Sequence, residues 1–404
     1  MLTDLNNLKG DIMSKKVKVG IIGVGNMGGT HAQNIVGGKC PDLELVAIAD
    51  IKESRIAWAK ETFKESNISY FSTAEEMIDS GIIEACIIAV PHYDHTKYAI
   101  MCMEKGIHVM LEKPAGVYTK QVREMNDVAQ KHPEVVFGMM FNQRTNHIYR
   151  KMRELVQSGK YGEIRRTNWI ITSWYRPQAY YDSGDWRATW SGEGGGVLLN
   201  QCPHQLDLWQ WICGMPVSVQ AHLHYGKWHD IEVEDDVTAY VEYANGATGV
   251  FITSTGDAQG TNRFEIQMDK AKIVAEGPRL TVLEYEQSEK EFSDTNKEPF
   301  GVLKAHKVEV ETDGKYEQHI GVLNSWASAI LNGTPLLANG EEGIRGIEIS
   351  NAMHLSSFIN DKVSLPIDDE LYYTELMKRV ATSRRKTNVC EVFTDTSNTY
   401  GGSK

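Results

Sequence analysis

Val17-Lys18-Val19-Gly20-Ile21-Ile22-Gly23-Val24-Gly25-Asn26-Met27-Gly28 is the stretch that decides the fold. An apolar run rich in Val and Ile feeds directly into three glycines, and Gly28 to Val36 can open a helix. In such a fingerprint the first glycine allows a tight turn and the second lets a pyrophosphate approach the backbone. The helix N-terminus then turns N–H donors to the phosphates. Leu43 to Ala49 reads as a second apolar strand ending in Asp50, 22 positions after Gly28. A carboxylate there can hold a ribose 2′-hydroxyl and would repel a 2′-phosphate, which favours NAD over NADP. Gly23, Gly25, Asn26, Met27, Gly28 and Asp50 are thus the first expected cofactor contacts.

Downstream, helical patterns (Ser54 to Phe63, Ala74 to Ile78, a helix through Met103, Lys120 to Lys131) alternate with apolar strands. The strands are Ile68 to Phe71, Glu84 to Val90, the run into Glu112, and Val135 to Met139. This alternation predicts an α/β, doubly wound parallel sheet that binds ligands at the carboxyl ends of its strands. Val90-Pro91, Glu112-Lys113 and Asn142-Gln143-Arg144 fall at such ends. A lysine there, behind a dinucleotide fingerprint, describes a redox enzyme with its catalytic amine in place. After about residue 160 the pattern changes to strands with short connections: Glu163 to Thr172, Pro216 to Tyr225, Val237 to Tyr243, Thr248 to Thr253, Arg263 to Met268 and Lys272 to Ala275. Asn245-Gly246 between two of them is a hairpin signal. The expectation is an N-terminal nucleotide domain (1–145) and a C-terminal α+β domain (146–404) with an open, mainly antiparallel sheet. Helical patterns at Ile320 to Leu331 and Glu341 to Phe358 either pack on that sheet or return to the first domain.

Length supports two domains, since 404 residues exceed a single core. A net charge of −12 argues against a nucleic-acid partner. The basic stretch Lys378-Arg379 to Arg384-Arg385-Lys386 reads as a solvated face. Six cysteines without a C-x-x-C pair suggest reduced thiols in a cytoplasmic protein. Met1 to Lys16 has no apolar signal core, and no run approaches the ~20 apolar residues of a membrane span, so neither secretion nor membrane insertion is expected.

Two later stretches can carry chemistry. The connection from Trp174 to Gly196 holds Trp174, Tyr175, Tyr180, Tyr181, Trp186 and Trp190 with Arg176, Asp185 and Arg187 between them. Aromatic faces beside polar groups suit a sugar ring, though such rings also build inter-domain cores. The second stretch is Gly194-Gly195-Gly196-Val197-Leu198-Leu199-Asn200-Gln201-Cys202-Pro203-His204-Gln205-Leu206-Asp207. As a helix it would place Asn200, His204, Asp207 and Trp211 opposite an apolar face, with Pro203 kinking or starting it. The glycines would let a ligand approach the backbone. His222, His224, His229, Glu232, Glu234, Asp235 and Asp236 could in principle hold a cation, but exposed strand histidines are common and no metal is expected.

At these residues the chain closely resembles the Gfo/Idh/MocA oxidoreductase family, the glucose-fructose oxidoreductase and inositol dehydrogenase group. The resemblance rests on the glycine fingerprint, Val90-Pro91-His92-Tyr93-Asp94-His95, Glu112-Lys113-Pro114, the glycine-rich segment through His204 and Asp207, and Gly340 to Pro366 with its Val363-Ser364-Leu365-Pro366 ending. It implies a Rossmann domain, a nicotinamide lying between the domains, a cis peptide before Pro114, and a C-terminal sheet that often mediates a homo-oligomer, dimer or tetramer. It adds Val90, Pro91, His95, Glu112, Lys113 and Arg144 to the cofactor contacts, and Lys113, Asn142, Trp174, Tyr175, Arg176, Asp185, Trp186, Asn200 and His204 to the substrate contacts.

The implied catalytic set is Lys113, His204 and the position four residues earlier, commonly Asp in the family but here Asn200. Oxidising a secondary alcohol requires a group that takes the hydroxyl proton as hydride leaves. His204 suits that role, with Lys113 polarising the oxygen, Asn200 holding a hydroxyl, and Asp207 either orienting the imidazole or serving as a structural acceptor. The Asn200-Gln201-x-x-His204 variant and the aromatic loop look most like the branch that oxidises C3 of glucose units in glycosides. The expected function is NAD-dependent oxidation of a hexose or glycoside to a keto sugar. Alternatives are an inositol or free-sugar dehydrogenase, a redox-neutral glycoside-cleaving enzyme with captive NAD, and a non-catalytic nucleotide sensor.

Overall fold

The computed structural model describes residues 15–384, 386 and 389. Residues 1–14, Arg385 and Cys390, which figured in the expectations above, lie outside the described residues. The first sheet is parallel throughout. Its strands and helices alternate as β1 (Val17–Ile22), α1 (Asn26–Val36), β2 (Leu43–Ala49), α2 (Glu53–Thr62), β3 (Ser69–Phe71), α3 (Ala74–Asp79), β4 (Ala85–Ile88), α4 (His95–Glu104), β5 (His108–Leu111), α5 (Thr119–Lys131) and β6 (Phe137–Met139). The strand order is β3-β2-β1-β4-β5-β6. Every residue of β4 and all but Lys18 of β1 are buried, because helices cover both faces of the sheet. The order reverses between β1 and β4, and the crevice beyond their carboxyl ends is where such sheets take ligands.

The second body follows as α6 (His147–Gln157), β7 (Ile164–Ile171), α7 (Gln178–Tyr181), α8 (Pro203–Cys213), β8 (Ser218–Tyr225), β9 (Glu234–Glu242), β10 (Thr248–Ser254), β11 (Asn262–Met268), β12 (Ala271–Glu276), β13 (Arg279–Tyr285), α9 (Glu289–Thr295), β14 (Ala305–Glu309), α10 (Gln318–Asn332), α11 (Gly343–Ile359), β15 (Val363–Ser364) and α12 (Asp369–Val380). Its nine-stranded sheet runs β14-β13-β12-β11-β7-β10-β9-β8-β15. Pairing is antiparallel except between β7 and β10. The hairpin at Asn245-Gly246 forms, with Gly246 at φ +82°. Strands β13, β14 and β15 went unread in the sequence. β15 has only two residues, and β14 is exposed along its whole length.

The two helical patterns left open take different places. α10 returns to the first sheet, where Val322, Leu323, Trp326 and Ala327 join Val19, Ile21, Val24 and Met110 in one buried cluster. The indole N–H of Trp326 donates to Val136 O at 3.2 Å. Met139 N donates to Ala338 O at 3.1 Å, so the chain after α10 also covers the edge of β6. α11 instead packs between β8, α8 and α5 and ties the two bodies together. The basic stretch is not simply a solvated face. Arg379 stacks its guanidinium 3.3 Å from the Phe358 ring centroid, and Lys386 Nζ donates to Tyr181 O at 3.0 Å.

Candidate active site

The fingerprint loop fits a dinucleotide. A Cβ placed on Gly25 would meet nothing within 4 Å, so the backbone there is open to a ligand. One placed on Gly28 would lie 1.8 Å from Gly23 O, because α1 is packed hard onto the end of β1. No side chain caps α1, which leaves its first-turn N–H groups available to an anion. Asp50 Oδ2 accepts from Val24 N and Oδ1 from Lys52 N, both at 2.8 Å, so the carboxylate is fixed against the loop.

Lys113 follows β5 at the neighbouring strand end, and its peptide bond to Pro114 is cis, as the resemblance implied. Its Nζ donates to Asn200 O at 2.7 Å, joining the first sheet to the segment before α8. Burial pushes the Lys113 pKa down, and Glu112 and Glu193 only partly oppose that. Glu112 stands behind it, with Oε1 2.7 Å from His31 Nε2 and Oε2 accepting from Lys113 N at 3.1 Å. Burial alone would raise the Glu112 pKa, but the His31 hydrogen bond and the surrounding positive charge win and hold it at about 2. His204 is 2% exposed, its ring edge-on to Phe141 at 6.4 Å, and burial followed by the nearby Lys113 pushes its pKa well below 6.5.

α8 begins at Pro203 as its first residue, so Asn200 sits in the turn before it rather than one helical turn above His204. Nor is the polar side of α8 solvated: His204, Asp207 and Gln210 are buried, since the helix is wedged between the second sheet and the first body. The glycine triplet also works differently from expectation. A Cβ on Gly194 would lie 2.2 Å from Val117 Cγ1, and one on Gly196 2.0 Å from Glu234 O. These glycines therefore allow close protein packing rather than ligand approach.

The aromatic loop divides. Tyr181 is buried with its hydroxyl donating to Thr255 Oγ1 at 2.7 Å, and Trp190 packs on Tyr225, His354 and Phe358, so both are core residues. Tyr175 is 45% exposed. The others form a continuous wall beside Lys113. Arg176 lies over Trp174 and Tyr180, Arg187 over Tyr180 and Trp186, and the Trp186 ring meets His92 of the first body at 6.0 Å. Asn142, after β6, is fully buried with neither amide atom hydrogen-bonded among the described residues, which suits a bound polar group.

Two expected cofactor contacts, Arg144 and His95, are held by protein groups instead. Arg144 commits its guanidinium to protein: Nε and Nη2 donate to the two oxygens of Asp207 at 2.8 and 2.6 Å, and Nη1 to Glu342 at 2.6 Å. Asp207 is accordingly the structural acceptor rather than a carboxylate seen bonded to His204. His95 is 1% exposed, with its nitrogens 2.6 Å from Pro114 O and 2.8 Å from Val90 O, so it braces the strand ends from beneath. The acidic and histidine side chains from His222 to Asp236 are engaged separately. Asp235 accepts from the backbone of Lys227, Trp228 and His229, and among the described residues no group of three such side chains is arranged for a metal.

Sequence reasoning missed Glu193, a 2% exposed carboxylate whose Oε1 accepts from Asn200 Nδ2 and whose Oε2 accepts from Ala188 N at 2.6 Å. The only available signal was an acid embedded between the aromatic run and the three glycines.

Comparison with known proteins follows the same outline. Residues 17–139 match the model for an oxidoreductase family with an NAD-binding Rossmann fold, and residues 149–274 match the GFO/IDH/MocA C-terminal domain. A myo-inositol 2-dehydrogenase of Thermotoga maritima is 24% identical over 363 residues, covering 87% of this chain and 99% of that protein. A D-glucoside 3-dehydrogenase of Escherichia coli is 30% identical over 260 residues, covering 59% of this chain and 70% of that protein. In fold, the chain is similar to the WlbA dehydrogenase from Bordetella pertussis in complex with NADH and UDP-GlcNAcA, with a TM-score of 0.74 at 22% identity over 88% of this chain and all (100%) of that one.

Proposed function

The chain belongs to the Gfo/Idh/MocA oxidoreductase family, and from that premise we propose that it oxidises the C3 hydroxyl of a hexose unit, preferentially in a glycoside, to a ketone. It is an NAD-dependent enzyme of the sugar-dehydrogenase kind, acting on CH–OH. The observation that carries the finer reading is the meeting of Lys113 with the Asn200–His204 turn beside a wall of Arg176, Tyr180, Arg187 and Trp186. A pyranose has an apolar C–H face for the rings and a belt of hydroxyls for the polar groups. The similarity to a D-glucoside 3-dehydrogenase supports the regiochemistry.

Bound NAD supplies a hydride acceptor at C4 of its nicotinamide. Asp50 and the backbone of the Gly23–Gly28 loop would hold the dinucleotide, and Asn142 offers its amide to the sugar. His204, kept neutral by burial and by the nearby Lys113, accepts the hydroxyl proton. The Lys113 amine donates to the same oxygen and stabilises the negative charge that grows on it as the C–H bond breaks. Asn200 orients a neighbouring hydroxyl. In this division of labour residues 1–145 bind the cofactor and lend Lys113 and Asn142 to the sugar, while 146–404 bind the rest of the sugar and assemble the oligomer, with α10 a buttress of the first body.

The test is NAD reduction across glucosides, free hexoses and inositols, with mass-spectrometric identification of products. NADH together with a 3-keto glycoside is expected. The myo-inositol 2-dehydrogenase relative, which spans 87% of the chain, motivates the second reading, and faster turnover of inositols than of glucosides would select it. Keto product or released aglycone without net NADH would mean that the cofactor stays bound through the cycle.

A further inference from the structure

Glu193 is a buried carboxylate that forms no ion pair within 4.0 Å among the described residues; burial pushes its pKa up, and the nearby Arg187 with the hydrogen bonds from Ala188 N and Asn200 Nδ2 opposes that and favours the ionised form. Its segment is fastened to the first body. His92 Nδ1 lies 3.2 Å from Glu193 O, and Tyr93 donates its hydroxyl to Trp190 O at 2.8 Å. Both carboxylate oxygens act as acceptors, one from Ala188 N and the other from Asn200 Nδ2.

An asparagine amide carries a donor and an acceptor of nearly equal shape, and only its partners decide which way it faces. An ionised carboxylate can only accept. Glu193 therefore claims the NH₂ end of Asn200 and leaves Oδ1 as the end that a ligand meets. The backbone oxygen of Asn200 meanwhile receives Lys113 Nζ, so one residue is held by the carboxylate on one side and holds the amine on the other. Lys113 Nζ itself contacts a neutral carbonyl and, among the described residues, no carboxylate within 4.0 Å.

We propose that Glu193 is a positioning residue for this dehydrogenase: it aims the Asn200 Oδ1 at a substrate hydroxyl and supplies the negative charge that lets Lys113 donate. This rests on the reading of the site given above. The charged and titratable groups around Lys113 include Glu112 and Glu193, Arg176 and Arg187 of the loop, and the imidazoles of His92, His95, His204 and His319. Glu112 is already hydrogen-bonded to His31, whereas Glu193 forms no ion pair within 4.0 Å among the described residues. The Lys113 amine is pushed down first by burial and restored in part by Glu112 and Glu193, so removing the charge at 193 lets it fall further.

Four proteins test this: wild type, Glu193→Gln, Asn200→Asp, and the double variant. Glu193→Gln keeps an oxygen for Ala188 N but turns an amide donor toward Asn200, which then flips. A loss of about 10²-fold in kcat is expected, with the KM for NAD unchanged. Asn200→Asp sets two carboxylates together and is also slow. In the double variant the introduced amide donates to the introduced carboxylate, an acceptor again faces the substrate, and most of the loss is recovered, a strong departure from additivity. Independently of turnover, the pH dependence of Lys113 labelling by an amine reagent, read by peptide mass spectrometry, should move to lower pH in Glu193→Gln and return in the double variant.

Additive losses with an unmoved labelling profile would overturn the proposal and leave Glu193 as a brace for Ala188. Should Glu193→Gln lose the NAD fluorescence response of a folded protein, Glu193→Asp decides instead. It keeps the charge but is too short to reach both donors, so the labelling profile should stay while kcat falls about tenfold, and full activity would refute the aiming role. If wild type turns over no sugar, the dehydrogenase reading fails, while the labelling still reports on the charge.

Discussion

Replacing Arg144 separates a brace from a cofactor ligand. The residue is 1% exposed and makes a bidentate pair with Asp207, a third charged hydrogen bond to Glu342, and ring contacts to Phe141 and Trp211 at 5.2 Å. Burial works against its charge, but Asp207 and Glu342 raise its pKa regardless. Arg144→Met keeps much of the volume and removes the cation, leaving Asp207, itself 1% exposed, with Gln210 Nε2 at 3.0 Å as its remaining side-chain donor. Removing one partner of a buried pair costs about 3–5 kcal/mol, because the other charge stays desolvated. An unfolding entropy of about 2.1 cal/mol/K per residue gives about 0.85 kcal/mol/K for a chain of this length, so Tm should fall by about 4–6 °C. In calorimetry Arg144→Met/Asp207→Leu should recover part of that loss, since no orphan charge remains. The KM for NAD should stay within about threefold of wild type. A Tm within about 1 °C of wild type, with the KM for NAD raised about tenfold or more, would refute the bracing role and return the guanidinium to the cofactor.

His204→Ala should lower kcat by about 10²- to 10⁴-fold, and the wild-type kcat/KM should rise with pH through the His204 pKa, which burial and Lys113 hold well below 6.5. An acid limb centred at or above pH 7 would exclude His204 as the base. Asp50→Ala should raise the KM for NAD by about 10- to 100-fold, the value of about 1.5–3 kcal/mol for a charged hydrogen bond, and relax the preference over NADP, measured by initial rates with each cofactor. Glu112, depressed from 4.5 to about 2, contributes stability that is fully present above pH 4.5 and is lost as pH falls toward 2. That loss is about 3 kcal/mol, so in urea titrations Glu112→Gln should flatten the decline between those pH values, and an unchanged slope would show the carboxylate to be unperturbed.

What could be read from the sequence depended on whether the information was local. The first sheet was legible because each of its ligand-binding ends is a short word: glycines after β1, Asp50 after β2, Glu112-Lys113 after β5. A parallel sheet with both faces covered also announces itself through continuous Val and Ile. At α8 the sequence left two readings open, Pro203 kinking the helix or starting it, and the second is what forms. Helical periodicity extended backward through Asn200, whereas Pro203 takes the first helical position, where its missing N–H costs nothing. Periodicity left open whether its polar face was solvated, because it reports which residues share a side and not what that side meets. Here it meets Arg144, brought from 63 residues upstream.

The same limit explains Glu193. In the sequence it is one acid in a loop, and acids in loops are ordinarily hydrated. Its burial is imposed from the other body, where Val117 fills the space against Gly194 while His92 and Tyr93 grip the neighbouring carbonyls. A charged group enclosed in this way is retained only where its hydrogen bonds are made, and both of its oxygens are bonded. The carboxylate thus reaches Lys113 through Asn200, a residue that carries no charge, and a motif search for a carboxylate at the catalytic turn would pass it by.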